Sequence, residues 1–207
     1  MKYKLLVRKI EALDKRYISS EEIKKYCGIL GLSYREGIIY LVRTKRLHRI
    51  LRGVFYRPTL EERRHDLLKV DHMEAIAYAL GAKGIANWYL GLDTALKLNN
   101  LTHEFFPKDY IVNDSFSRTI KVLNNTIVFV KFKAGLFSFG TIYKGNLRYS
   151  DPEKTILDNI YLDRYHGRDE YAIRNSIAPY VAELSRKKLN RYAKKYNNKM
   201  ISFIDTI

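Results

Sequence analysis

Two helix-start signatures follow one another near the N-terminus, and with the turn between them they restrict the fold more than any other feature of the chain. Ser19 with Glu22, and Ser33 with Glu36, both have the form of a capping box. In such a box the serine oxygen accepts from the third helical N–H and the glutamate reaches back to the serine N–H. The first box opens a short helix through about Cys27, which Gly28 and Gly31 end. The second opens a helix whose apolar positions Tyr34, Ile38, Leu41 and Val42 fall on one side. An amphipathic helix over residues 2–16, with Leu5, Leu6, Ile10 and Leu13 on its apolar face, comes before them. After the third helix the period changes to that of strands: Leu47–Leu51, then Arg52-Gly53, then Val54–Arg57, closed by Pro58. This reads as a hairpin with Gly53 in its turn. Helix, helix, tight turn, helix and hairpin in that order predict a winged helix-turn-helix.

With Tyr34, Ile38, Leu41 and Val42 facing inward, the helical wheel sends Ser33, Arg35, Ile39, Tyr40 and Arg43 outward. Arg35 could fork onto guanine or a phosphate, Tyr40 and Arg43 would grip the major groove, and Ser33 with the first-turn N–H groups could hold a phosphate oxygen. Lys45, Arg46, Arg49 and Arg52, before and within the hairpin, would flank the DNA backbone or reach the minor groove. Charge agrees with a polyanionic partner, because 38 basic residues against 22 acidic ones leave a net charge of +16. The first 66 residues hold 17 of those basic residues and 8 of the acidic ones, which makes the N-terminal part the candidate nucleic-acid face. The same charge also suits an anionic membrane surface or a generally lysine-rich exterior, and winged helices also serve as protein-docking modules.

The chain is expected to divide into residues 1–66 and residues 67–207, giving an α+β protein in which the winged unit precedes an α+β domain with a small antiparallel sheet flanked by helices. Residues 59–72 read as a charged connector, and residues 73–98 as two helical stretches broken near Gly81–Gly84. Strands are expected at 110–112, 119–122, 126–132, 137–139 and 143–149. Ser150-Asp151-Pro152-Glu153 then starts a helix with a cap, a first-turn proline and an acidic residue against the helix dipole. Helices from Asp169 to about Ala178 and from Val181 to about Tyr196 follow. The last carries Arg186, Lys187, Lys188, Arg191, Lys194 and Lys195 with Tyr192 and Tyr196 between them, a second basic patch.

No run of about 18 apolar residues occurs, and charges interrupt the N-terminal stretch, so neither membrane spanning nor secretion is expected and the location should be cytoplasmic. The single cysteine, Cys27, cannot form an internal disulfide, and the five histidines have no metal-ligand spacing or nucleophile motif near them. No cofactor and no metal are expected, and nothing demands enzymatic activity. The rival from another class is a metal-dependent nuclease using Asp151, Glu153, Asp158 and Asp163. Against it, the first two are explained as helix-start residues, and the last two lie five apart, a poor spacing for shared ligation.

Several stretches resemble the AbiEi family, antitoxins of type IV toxin–antitoxin systems. Gly31-Leu32-Ser33, the basic run Arg43–Arg46 and the hairpin Leu47-His48-Arg49-Ile50-Leu51-Arg52-Gly53-Val54-Phe55 are similar to the family's winged domain, with Phe55 in place of its usual tyrosine. Gly84 to Leu92 is similar to its small-residue helix, and Asp151-Pro152-Glu153-Lys154-Thr155-Ile156-Leu157-Asp158 to its Pro-Glu-Lys-Thr-Leu-Leu-Asp helix. The resemblance spans roughly residues 19–160. It implies a transcriptional autorepressor that binds double-stranded DNA at operator repeats and counteracts a nucleotidyltransferase toxin without requiring a stable complex.

Overall fold

The structure is a computed structural model that describes residues 1–206, and it is a mixed α+β chain with two sheets. Two compact units divide it: Met1–Gly84 with Val122–Asn124, and Ile85–Lys121 with Asn125–Ile207.

The first unit begins with helix α1 (Lys2–Glu11), shorter than its apolar pattern suggests, which buries Leu6, Val7 and Ile10 and leaves Leu5 exposed. Strand β1 (Tyr17–Ser19) leads into α2 (Ser20–Ile29) through the expected capping box, with Glu22 N–H donating to Ser19 Oγ at 3.2 Å and Ser19 N–H to Glu22 Oε2 at 2.9 Å. The second box does not form. Ser33 precedes α3 (Tyr34–Arg43) without a side-chain cap, because Glu36 turns away to accept from the Tyr3 hydroxyl at 3.3 Å. The hairpin forms as β2 (His48–Leu51) and β3 (Val54–Tyr56), and Gly53 at φ 84° supplies the left-handed conformation its turn needs. β1 adds to the other edge of β3, giving an antiparallel sheet of order β1-β3-β2, a pairing its three residues do not announce in sequence. The core between helices and sheet gathers Leu6, Ile10, Ile18, Ile23, Cys27, Ile38, Leu41, Leu47 and Phe55.

The stretch expected to be a connector contains α4 (Leu60–His65), which opens with its own capping box between Thr59 and Glu62. Glu62 is buried and collects the N–H groups of Thr59 and Lys69, each at 2.7 Å, and the Tyr56 hydroxyl at 2.7 Å. Helix α5 (His72–Ala82) then packs on β2 and β3. The first unit therefore runs to Gly84 rather than ending at residue 66, since the apolar side of α5, with Ala75, Ile76, Ala79 and Leu80, finds its cover there.

The second helical stretch expected before residue 98 is instead strand β4 (Trp88–Leu90) followed by α6 (Leu92–Leu98). Strands β5 (Lys108–Asn113), β6 (Arg118–Val122), β7 (Asn125–Lys131), β8 (Thr141–Lys144) and β9 (Leu147–Ser150) join β4 in one sheet of order β6-β7-β5-β4-β9-β8. It has six strands and is mixed rather than small and antiparallel: β5 and β7 run parallel, as do β4 and β9, while β4–β5 and β8–β9 are antiparallel. β7 lies between β5 and β6, and the helices inserted along the chain let β4 sit between β5 and β9. Of residues 137–139, expected as a strand, Phe137 ends a 3-10 turn that spans Ala134–Phe137, and the other two follow it outside any strand.

Asp151 caps α7 (Pro152–Tyr165) by accepting from Lys154 N–H at 2.9 Å, as the sequence reads. Asp169 caps α8 (Glu170–Val181), Ser185 caps α9 (Arg186–Tyr196), and a further helix, α10 (Asn198–Ile204), follows the break at Asn197. The main core of this unit joins α6 to α10 through residues that include Tyr89, Leu136, Ile156, Leu157, Ile160, Leu189 and Phe203.

Candidate nucleic-acid interface

Helix α3 is held by its close approach to α2. A Cβ on Gly37 would lie 2.6 Å from Cys27 Sγ and 3.3 Å from Leu6 Cδ2, so only glycine lets the two helices and α1 meet at this distance. The Ser20 and Tyr34 hydroxyls hydrogen-bond at 2.8 Å and join the starts of α2 and α3. With Gly37, Ile38 and Leu41 buried, the opposite side of α3 exposes Arg35, Ile39, Val42 and Arg43. Val42, expected inside, is 37% exposed. Positions 35, 39 and 43 form a single stripe at i, i+4 and i+8.

The eight residues singled out from sequence divide by what they already touch. Arg35, Arg43 and Arg52 are exposed and make no ion pair or hydrogen bond among the described residues, and Arg49 is exposed with its guanidinium 5.7 Å from the centre of the Phe55 ring. The Ser33 hydroxyl is exposed and does not serve the first turn of α3. Tyr40 is half-buried, its ring packed on Tyr3 with centroids 4.8 Å apart, so it supports the helix from the side. Arg46 reaches Glu11 at 2.6 Å, and Arg63 shares that carboxylate at 2.8 Å; this network ties α1 to the turn after α3 and to α4. Lys45 pairs with Asp66 at 2.7 Å, both side chains well exposed. Such a surface pair contributes little and is exchangeable for a phosphate. Its aspartate is held below the ordinary carboxylate range by that same ammonium.

One cation beside the hairpin was not legible. Lys83, at the end of α5, places its Nζ 3.2 Å from where a Gly53 Cβ would stand, so an exposed ammonium sits against the hairpin turn next to Arg52. Sequence gives no cue for it, since the contact depends on α5 folding back over the sheet. His48 adds no charge here at neutral pH, because burial, and then Lys45, hold its imidazole below the ordinary value.

The carboxylates considered for metal chemistry in the second unit are committed elsewhere. Asp158 is fully buried, 3.3 Å from Lys154 Nζ, and accepts from the Tyr89 and Tyr196 hydroxyls at 2.8 and 2.5 Å. Asp151 and Glu153 share Lys188 at 3.1 and 2.7 Å, and Asp163 pairs with Arg168 at 3.0 Å. Among the described residues no three His, Cys, Asp or Glu side chains converge as metal ligands. Tyr192 and Tyr196 of α9 point inward, to Asp151 at 3.0 Å and to Asp158, instead of standing among the exposed lysines. Among the described residues no helix is long and apolar enough to cross a membrane.

No protein-family model matches the chain, and no curated protein does. Its structure is similar to the crystal structure of the Rv2827c protein from Mycobacterium tuberculosis, with a TM-score of 0.60 and 12% sequence identity over 99% of this chain and 75% of that one. At that identity the likeness concerns the fold alone.

Proposed function

We propose that the first unit is a winged helix-turn-helix that binds double-stranded DNA, and that the chain is a transcriptional repressor of the AbiEi antitoxin kind, counteracting a nucleotidyltransferase toxin. The observation that carries the DNA reading is the set of unpaired cations on α3 and the hairpin. Arg35 and Arg43 stand on the exposed stripe of α3, and Arg49, Arg52 and Lys83 stand on and beside the hairpin, while Glu11 and Asp66 are occupied by other bases. In this reading α3 lies in the major groove, where Arg35 meets a base edge and the Ser33 hydroxyl a phosphate, and the hairpin grips the backbone. Tyr40 and Arg46 act as supports, a narrower set of contacts than the sequence alone suggests. The antitoxin part of the proposal rests on the quoted resemblance of the hairpin and of the Asp151–Asp158 stretch.

The test is binding of the purified chain to its own upstream duplex and to a scrambled duplex of equal length across a salt series. Preference for the native duplex that survives physiological salt supports a sequence-reading repressor. Arg49→Ala, Arg52→Ala and Lys83→Ala should each weaken both duplexes and reduce the slope of log K against log salt by about one. Arg35→Ala should cost about 1–3 kcal/mol of discrimination. Equal, steeply salt-dependent binding to both duplexes would overturn the repressor reading.

A further inference from the structure

The second unit contains a cavity of about 910 Å³ between β5, β6 and β7 on one side and α6, α7 and α8 on the other. This lies within the range of small-molecule sites, which are apolar and aromatic with a few convergent polar groups. The sheet contributes Tyr110, Val128 and Val130, the loop before β5 contributes Phe106, and α8 contributes Tyr180, all half-buried.

The charged residues of the lining separate by depth. Glu104, Lys108, Arg118, His166 and Arg168 are exposed and form the rim. The two that are half-buried are both carboxylates, Asp93 in the first turn of α6 and Asp163 on α7. Asp163 has its counter-ion in Arg168. The Asp93 carboxylate makes no ion pair and no hydrogen bond among the described residues. Burial, and after it the neighbouring Asp163, raise the Asp93 pKa, while Lys97 opposes them. Lys97, the neighbouring cation, is turned to Asp109 at 3.8 Å and makes no ion pair with Asp93, so this partly desolvated carboxylate keeps a cost that a positively charged guest in contact with it would relieve. Tyr110 and Tyr180 also line the cavity and suit the same kind of guest, while the Phe106 ring, with Lys97 Nζ 5.7 Å from its centre, serves as apolar wall.

We propose that this cavity binds an organic cation, an amine or onium group on an apolar body, with Asp93 as its counter-ion and the rings of Phe106, Tyr110 and Tyr180 as its walls. The site is independent of the DNA reading and stands or falls by itself.

Tetraphenylphosphonium and tetraphenylborate test it, since they share shape and apolar surface and differ in the sign of their charge. Titration calorimetry of the full chain should show one saturable site for the phosphonium, with affinity above that for the borate despite the positive net charge. Asp93→Asn should weaken phosphonium binding about tenfold, the loss of one charge-assisted contact, and leave borate binding no weaker. Phe106→Ala, in a loop, should weaken the phosphonium several-fold and decides the matter if Asp93→Asn loses its cooperative melting transition. Borate bound as tightly as phosphonium, or phosphonium binding unchanged in the folded variants, would overturn the proposal.

Discussion

Replacing Lys154 with methionine removes the positive half of a charge pair around which the second unit is built. The ammonium lies 3.3 Å from the Asp158 carboxylate, both side chains are 0% exposed, and the rings of Tyr89 and Phe139 stand 4.7 and 4.6 Å from it. Burial pulls the lysine pKa down and pushes the aspartate up, each opposed by the attraction of its partner. Methionine keeps most of the apolar contacts, so the loss comes mainly from leaving Asp158 without a cation. Breaking a buried pair costs about 3–5 kcal/mol, and the two tyrosine hydroxyls that still donate to Asp158 place this case near about 3 kcal/mol. Asp158→Asn should cost about 3–5 kcal/mol, because the ammonium then keeps only the attraction of Asp151, a carboxylate already paired with Lys188 at 3.1 Å. The double variant buries no net charge and should cost little more than either single one, a coupling of about 2–3 kcal/mol. Urea unfolding followed by fluorescence measures this directly, because Trp88 is the single tryptophan and lies on β4, so the signal reports the second unit without assuming one transition for the whole chain. Additive single losses, or a Lys154→Met protein as stable as the parent, would refute the reasoning.

Gly37→Ala should lower stability by about 1–2 kcal/mol and weaken DNA binding, since the clash with Cys27 Sγ at 2.6 Å outweighs the gain of about 1 kcal/mol in helix propensity; a higher melting temperature would show that α2 and α3 yield instead. Glu62 supplies a pH dependence. Burial alone would raise its pKa, but the N–H groups of Thr59 and Lys69 and the Tyr56 hydroxyl outweigh it and hold the carboxyl below its ordinary 4.5. The unfolded chain therefore binds more protons below that pH, and the stability contributed above it is lost on acidification. Glu62→Gln should cost about 1–3 kcal/mol at neutral pH and flatten the decline in melting temperature below about pH 4.5, as followed by far-UV circular dichroism; parallel curves for the two proteins would contradict this.

Many local starts and stops are legible in the chain. The caps at Ser19, Asp151 and Asp169 can be recognised because they join a side chain to a backbone N–H three residues away, and the Gly53 turn because few residues adopt its backbone conformation, whereas the helix read from Val181 begins only at Arg186, after a Ser185 cap. Even so, the Ser33–Glu36 box was lost to a longer-range competitor, the Tyr3 hydroxyl. Which neighbours each element has depends on packing between distant parts of the chain. Three-residue strands such as β1 and β4 carry too little pattern to declare themselves, and they exist because a sheet edge or a gap between two strands offers their backbone groups partners. For the same reason composition could count the basic residues but not sort them. Whether an arginine is bound to Glu11, like Arg46, or left open to solvent, like Arg43, depends on which carboxylate the fold brings within about 3 Å, and that distance is set by packing between residues far apart in the chain.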